Sequence, residues 1–216
     1  MQYLHATRNL TLTLEPNVHP NWWVDSSFAV HPDMCSHSGI IMSLGKGAVY
    51  STSCKQKLNR KNTAESELVA IDDTMGQILW TQHFLNAQGI TTPEATTIFQ
   101  DNKSTILLAE SVKTSDSRCT PHLHVQYFFV TDNIKKGEVK VAFCPMHDML
   151  GDFFTKPLQG SQFVCMMDNI LNLPGSTSTT VHRSVLEKTN PGENFKISKR
   201  SQWDQPNKNS NFKVYR

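Results

Sequence analysis

No stretch of the 216-residue sequence approaches the roughly 20 consecutive apolar residues that a bilayer-spanning helix needs. No charged-then-apolar leader opens it, so secretion is not expected. Cysteine is sparse and odd in number. Cys35, Cys54, Cys119, Cys144 and Cys165 are scattered, which argues for reduced thiols in an intracellular, cytoplasmic protein and against a disulfide frame. There is no internal repeat. A strong basic excess is also missing. Of a net charge of +2, the segment Val181–Arg216 carries +5, with 8 Lys/Arg against 3 Asp/Glu, which leaves −3 for the first 180 residues. A domain that grips nucleic acid unaided is usually basic. This one must borrow its grip, use metal ions, or not bind nucleic acid.

What is present reads as one α/β unit followed by a tail. "LTLTLE" alternates like a strand until Pro16 and Pro20 interrupt it. Asn21–Val30 reads as a strand with Asp25 at its middle, and Ser38–Ser53 as two strands joined by a turn at Gly45–Gly47. The basic loop "KQKLNRK" follows. The strongest helix runs from Asn62 to Gly89, with Leu68, Ile71, Met75, Ile78, Leu79 and Leu85 at helical spacing. Asn62 can cap it, with Glu65 as the capping-box partner. A strand over Thr96–Gln100 and a helix over Asn102–Glu110 follow. After the polar loop "VKTSDSRC", a helix starts at Pro121 and ends at Gly137. Glu138–Cys144 alternates as a strand, and Met146–Thr155 reads as a short helix. Beyond Pro157 the pattern decays through a linker into a segment rich in Asn, Ser, Lys and Pro, expected to be disordered. The order predicts a mixed five-stranded sheet with helices packed on it.

One short stretch, "FQDNKSTILLAES", ends a strand on a carboxylate, Asp101. Open α/β sheets present ligand sites at the C-terminal ends of strands. Asp101 is equally suited to capping the next helix, so this residue alone leaves both readings open. Three further acids bear on the question. Asp25 lies in the first strand, Glu67 in the first turns of the long helix and Asp152 in the last helix. If the first and fourth strands are neighbours, Asp25 and Asp101 sit close together. Unit charges 4 Å apart repel by roughly 4 kcal/mol at an effective dielectric of 20. A fold keeps such a cluster when divalent cations neutralise it, and oxygen-only ligands suit Mg²⁺ or Mn²⁺.

The stretches "WVDSSFAVHPDMCSHSGIIMSLGKGAVYSTSCKQ", "NTAESELVAI", "QDNKSTILL", "TPHLHVQYFFV" and "VKVAFCPMHDMLGDFFTKPLQG" occur in that order over about residues 20–160. Together they resemble the ribonuclease H domain of copia-type LTR-retrotransposon Pol polyproteins. The resemblance implies a ribonuclease H-like fold, with helices on both faces of the mixed sheet, and a catalytic, metal-binding tetrad at Asp25, Glu67, Asp101 and Asp152. It implies two Mg²⁺ ions, with Mn²⁺ as a substitute, and cleavage of the RNA strand of an RNA–DNA hybrid. It also implies the reverse transcriptase region of a parent polyprotein as partner, and a virus-like particle as the setting. Residues 1–19 resemble the end of a reverse transcriptase or connection region. The domain would then be 20–160, with a linker and basic tail over 161–216. Gly151 stands where the family usually has Ala, a change expected to loosen the last helix by about 0.5–1 kcal/mol. His124 stands for a usual Asp or Asn, and Gln126 for a usual basic residue.

Around the tetrad, Lys55, Lys57, Arg60 and Lys61 are candidates for hybrid phosphates, against the alternative of a solvated loop. Ser26 and Asn102 adjoin tetrad acids and are candidates for the ribose 2′-OH. His122 matches the family pattern and joins the substrate-binding set. His147 is a candidate proton shuttle, with a plain surface His as the alternative. Cys119-x-x-His122 and Cys144-x-x-His147 imitate zinc spacing, but each pair stands at the start of an expected helix, and His122 fits the family pattern without any zinc. Trp22 and Trp23 adjoin in a strand and must face opposite ways, with one in the core. Two rival readings remain: a non-catalytic connection or packing module, and an inactive relic of a polyprotein.

Overall fold

The strand on which the sheet is built is β1 (Glu15–Ser27). In the computed structural model, which describes residues 7–90, 95–110 and 121–173, β1 pairs antiparallel with β2 (His37–Lys46), and β2 pairs antiparallel with β3 (Ala48–Lys55). On its other side β1 runs parallel to β4 (Thr96–Gln100), which runs parallel to β5 (Val139–Phe143). The sheet order is β3-β2-β1-β4-β5, the mixed sheet that the sequence predicts. The β2–β3 hairpin turns where expected. Gly45 and Gly47 take φ of 109° and 79°, values that glycine adopts without steric cost.

β1 begins at Glu15, earlier than the sequence suggests, and runs through both prolines. Its register against β2 shifts between Pro16 and Asn21, and β4 meets it only from Asn21 on. Pro20 thus lies where no ladder N–H is required, which is where a strand tolerates proline.

One face of the sheet carries the core. Trp22, Val24, Ile40 and Met42 pack against Leu68, Ile71, Met75 and Ile78 of α1 (Thr63–Ala87). Each such apolar side chain stabilises the fold by roughly 1.5–3 kcal/mol when fully buried. The α1 start is capped as its sequence requires. Asn62 Oδ1 accepts the Glu65 N–H at 2.9 Å, and the Glu65 carboxylate accepts the Lys61 N–H at 3.0 Å. On the same side lie α2 (Lys103–Glu110) and α3 (Pro121–Lys135), which contribute Ile106, Ala109, Tyr127 and Val130 to the core. Trp22 is buried in this core, while Trp23 faces the other way and stacks on Phe99 at 5.1 Å.

The opposite face receives α4 (Asp152–Thr155) after a 3₁₀ turn at Met146–Asp148. The expected single helix over Met146–Thr155 is therefore two short pieces. Beyond it, where the sequence reads as linker, stands α5 (Gly160–Leu171). Pro157 and Gly160 read as breakers, but they only precede this helix. Met166, Met167 and Ile170 recur on one side and are buried. Its end is tied to the segment before β1, with the Thr13 N–H donating to the Leu171 carbonyl at 2.9 Å. The polar loop at 111–120 and everything after residue 173, including the expected disordered tail, lie outside the described residues.

Candidate metal centre

The parallel pairing of β1 and β4 decides the first contact. The last register pair is Trp23↔Phe99. Two residues further along the chain from each come Asp25, within β1, and Asp101, just past the end of β4, side by side. Asp25 shares the α4 face with its β2 partner Gly39. A methyl group on Gly39 would lie 2.7 Å from the Gly151 carbonyl and 2.6 Å from Thr155 Cγ2. A methyl on Gly151 would lie 2.9 Å from Asp25 Cβ. The two glycines thus let α4 settle directly on β1 and β2, which brings Asp152 beside Asp25. Gly151 caps α4 at its start with helical dihedrals. Its missing side chain admits the close approach, so what the sequence suggests as a loosening is here a packing requirement.

Carboxylate oxygens of Asp25, Asp101 and Asp152 all lie within 4.8 Å of one another. Asp25 and Asp152 are buried, and Asp101 is partly so. The capping alternative for Asp101 is answered by its neighbour. Asn102 Oδ1 accepts the N–H groups of Ser104 at 3.0 Å and Thr105 at 3.3 Å, so Asn102 caps α2 and the Asp101 carboxylate is left for the cluster. Thr155 Oγ1 donates to Asp25 Oδ2. Lys156 Nζ lies 2.7 Å from Asp152 Oδ1 and 4.0 Å from Asp25 Oδ2.

Glu67 approaches from α1, on the core side, and is buried. Burial, with the charges of Asp25 and Asp101, pushes its carboxyl up to about 9 against the Gln100 hydrogen bond. Burial pushes Asp152 up to about 7 against its bond to Lys156. Asp101 is raised by burial and by Asp25. These are the signs of a like-charge site.

Sequence reasoning missed Gln100, which organises the site. It is fully buried. Its Nε2 donates to Glu67 Oε2 at 3.1 Å and to the Val24 carbonyl at 3.3 Å. Its Oε1 accepts the N–H groups of Asp101 at 2.8 Å and Asn102 at 3.0 Å. One amide therefore touches the chain beside three of the four acids. The available signal was period: Thr96, Ile98 and Gln100 share the buried face of β4, and an amide at a core register position needs partners.

The remaining candidates are more dispersed. Ser26 is buried on the α1 face, with its Oγ 2.8 Å from Ser66 Oγ. The Asn102 side-chain oxygen is engaged in capping. Lys55 pairs with Asp33. Arg60 faces Asp72 and Asp73 electrostatically, and Lys57 also acts on Asp73. Lys57 and Lys61 are exposed. His147 is exposed, its Nε2 3.0 Å from Asp148 Oδ2. The side chain of His122 and all of Cys119 lie outside the described residues. Cys144 is buried, which pushes its thiol up to about 12.

The donor set fits a hard divalent cation. Every group in the cluster offers oxygen, as Mg²⁺ and Mn²⁺ prefer.

A mixed sheet in this order, with the acids at the ends of its two central strands, is a ribonuclease H-like fold. No family model matches the chain. It is similar to retrovirus-related Pol polyproteins from transposons. It is 29% identical over 154 residues, 71% of its length, to those from transposons RE1 and RE2 of Arabidopsis thaliana. The chain spans about a tenth of the length of these relatives, the match covering 10% of each. Among solved structures, foamy viral protease-reverse transcriptase in complex with RNA/DNA hybrid aligns with a TM-score of 0.47 at 10% identity, over 70% of this chain and 21% of that one. LC11-RNase H1 in complex with RNA/DNA hybrid aligns with a TM-score of 0.43 at 10% identity, over 60% and 88% respectively. No helix among the described residues is long and apolar enough to cross a membrane.

Proposed function

We propose that this chain is the ribonuclease H part of a retrotransposon Pol polyprotein and hydrolyses the RNA strand of RNA–DNA hybrids. The observation that carries the reading is the convergence of Asp25, Asp101 and Asp152 within 4.8 Å. The motifs around these acids, which resemble copia-type ribonuclease H domains, supply the substrate class. Asp25, Asp101, Asp152 and Glu67 would hold two Mg²⁺ ions. Bound there, the ions would stabilise the attacking and leaving oxygens of phosphodiester hydrolysis. In that reaction water oxygen bonds to phosphorus, the bond from phosphorus to one ribose oxygen breaks, and that oxygen takes up a proton. Glu67, held by Gln100, helps orient the attack. His147, exposed within the 3₁₀ turn, is the group assigned to supply the proton. Lys55, Lys57 and Lys61 are the exposed members of the basic loop for hybrid phosphates, with Lys55 also paired to Asp33.

Residues 20–160 are the proposed catalytic unit. Residues 1–19 would include the end of a reverse transcriptase or connection region, with Glu15 onward already part of β1, and the segment from Gly160 on would add α5 and the basic tail. A reverse transcriptase region would supply part of the grip that a segment of charge −3 lacks.

The test is strand-specific cleavage of a labelled RNA–DNA hybrid. With Mg²⁺ only the RNA should be cut, EDTA should abolish cutting, and binding should weaken steeply with salt. Equal cutting of duplex DNA, or undiminished cutting in EDTA, contradicts the reading. One observation favours the alternative of a non-catalytic module: Lys156 already brings a cation to the carboxylates.

A further inference from the structure

Resting on the metal-site reading above, we propose that Lys156 is a positioning residue. Its ammonium is a tethered counter-ion that holds the carboxylate cluster together without metal and must yield when Mg²⁺ enters. Its place is set first by the backbone. Lys156 follows α4 directly, and its N–H donates to the Asp152 carbonyl at 2.9 Å, closing the last turn. Pro157 comes next, and a residue before proline is driven to an extended conformation. Lys156 is extended, with φ −120° and ψ 142°. The main chain is therefore fixed beside the site, while the four-carbon stem of lysine stays adjustable.

The head group lies where a cation is needed. Nζ is 2.7 Å from Asp152 Oδ1 and 4.0 Å from Asp25 Oδ2, between two of the three converging acids. Both carboxylates are almost completely buried, whereas the lysine side chain is 36% exposed. An ordinary surface ion pair has two wet partners and is worth little. Here the acids are fixed and dry, and the cation has a route to solvent. Thr155 supports the arrangement by donating to Asp25 Oδ2, which fixes the oxygen that Nζ faces. An ammonium and a divalent ion that use the same oxygens compete, so the lysine should weaken Mg²⁺ binding while stabilising the metal-free fold.

The test titrates MgCl₂ into wild type, Lys156→Met, Lys156→Gln and Lys156→Arg. Binding is followed by calorimetry, and melting is followed in EDTA and in Mg²⁺. Both neutral variants should melt lower than wild type in EDTA, gain more on adding Mg²⁺, and bind Mg²⁺ roughly tenfold more tightly, since a unit charge near the site is gone. Lys156→Arg should stay near wild type. If Lys156→Met is unfolded in EDTA, refolding on addition of Mg²⁺ reports the same competition, and Lys156→Gln gives the affinity. Neutral variants that melt lower by the same amount in EDTA and in Mg²⁺, with unchanged or weaker Mg²⁺ binding, overturn the proposal and reduce Lys156 to a structural ion pair. A wild type and variants that all ignore Mg²⁺ overturn the metal-site reading itself, a distinct outcome.

Discussion

Gln100 Nε2 donates to Glu67 Oε2 at 3.1 Å, inside the core and behind the carboxylate cluster. The same amide accepts the Asp101 N–H at 2.8 Å through its oxygen. One side chain thereby couples the helix-borne acid to the strand-borne one. Gln100→Leu keeps the bulk but removes both functions, leaving the Glu67 oxygen and two backbone N–H groups without this partner. Unsatisfied buried groups cost about 1–3 kcal/mol each. The expected result is a loss of stability of at least that size in urea unfolding, with hybrid cleavage reduced further than the stability loss explains. An unchanged midpoint with full activity would show that the amide is dispensable.

Stability of the metal-free protein should fall as pH rises. The Glu67 carboxyl is raised from 4.5 to about 9 and that of Asp152 from 3.8 to about 7. A raised pKa means that the folded state holds its proton more tightly than the unfolded chain. That contribution is complete below about pH 4 and is lost as pH climbs, through about 7 for Asp152 and about 9 for Glu67. Melting temperatures in EDTA from pH 5 to 9 should decline, and Mg²⁺ should flatten the decline. A metal-free profile that rises over this window would contradict the burial of these acids.

Gly39 is a packing position for the site. Its missing side chain admits the Gly151 carbonyl, which a methyl group would meet at 2.7 Å. Gly39→Ala should cost about 1–3 kcal/mol by overpacking and should weaken the response to Mg²⁺ by lifting α4, with Asp152, away from Asp25. Loss of stability with a full Mg²⁺ response would place the damage elsewhere.

Much of the site is legible from element ends. That Asp25 and Asp101 come side by side is legible once their strands are neighbours, because parallel pairing fixes which residues end level. The burial of Glu67 follows from helical spacing beside an apolar stripe, although the acids within 4.8 Å of one another are Asp25, Asp101 and Asp152. The features that stay hidden depend on contacts between distant segments. The role of Gln100 needs a partner 33 residues away. The value of Gly151 lies in its approach to Asp25, and nothing in the local sequence distinguishes that from a weak helix start. α5 is masked by Pro157 and Gly160. Its buried residues Met166, Met167 and Ile170 find their cover through tertiary packing, which overrides local breakers. Ser26 and Asn102 adjoin acids along the chain, and the structure gives each side chain a further partner. In the structure Ser26 faces Ser66 on the core side of β1, because neighbours along a strand point to opposite faces. Asn102 is taken up in capping α2.

The metal centre is tested most directly by one comparison, melting curves of wild type and Asp101→Asn, each with and without Mg²⁺. Asn102 caps α2, so replacing Asp101 costs no cap and removes one charge from a crowded site. In EDTA the variant should be as stable as wild type or more so, by on the order of 1 kcal/mol. Mg²⁺ should raise the wild-type melting temperature by mass action and the variant's much less. An identical Mg²⁺ response in both proteins would contradict the metal centre.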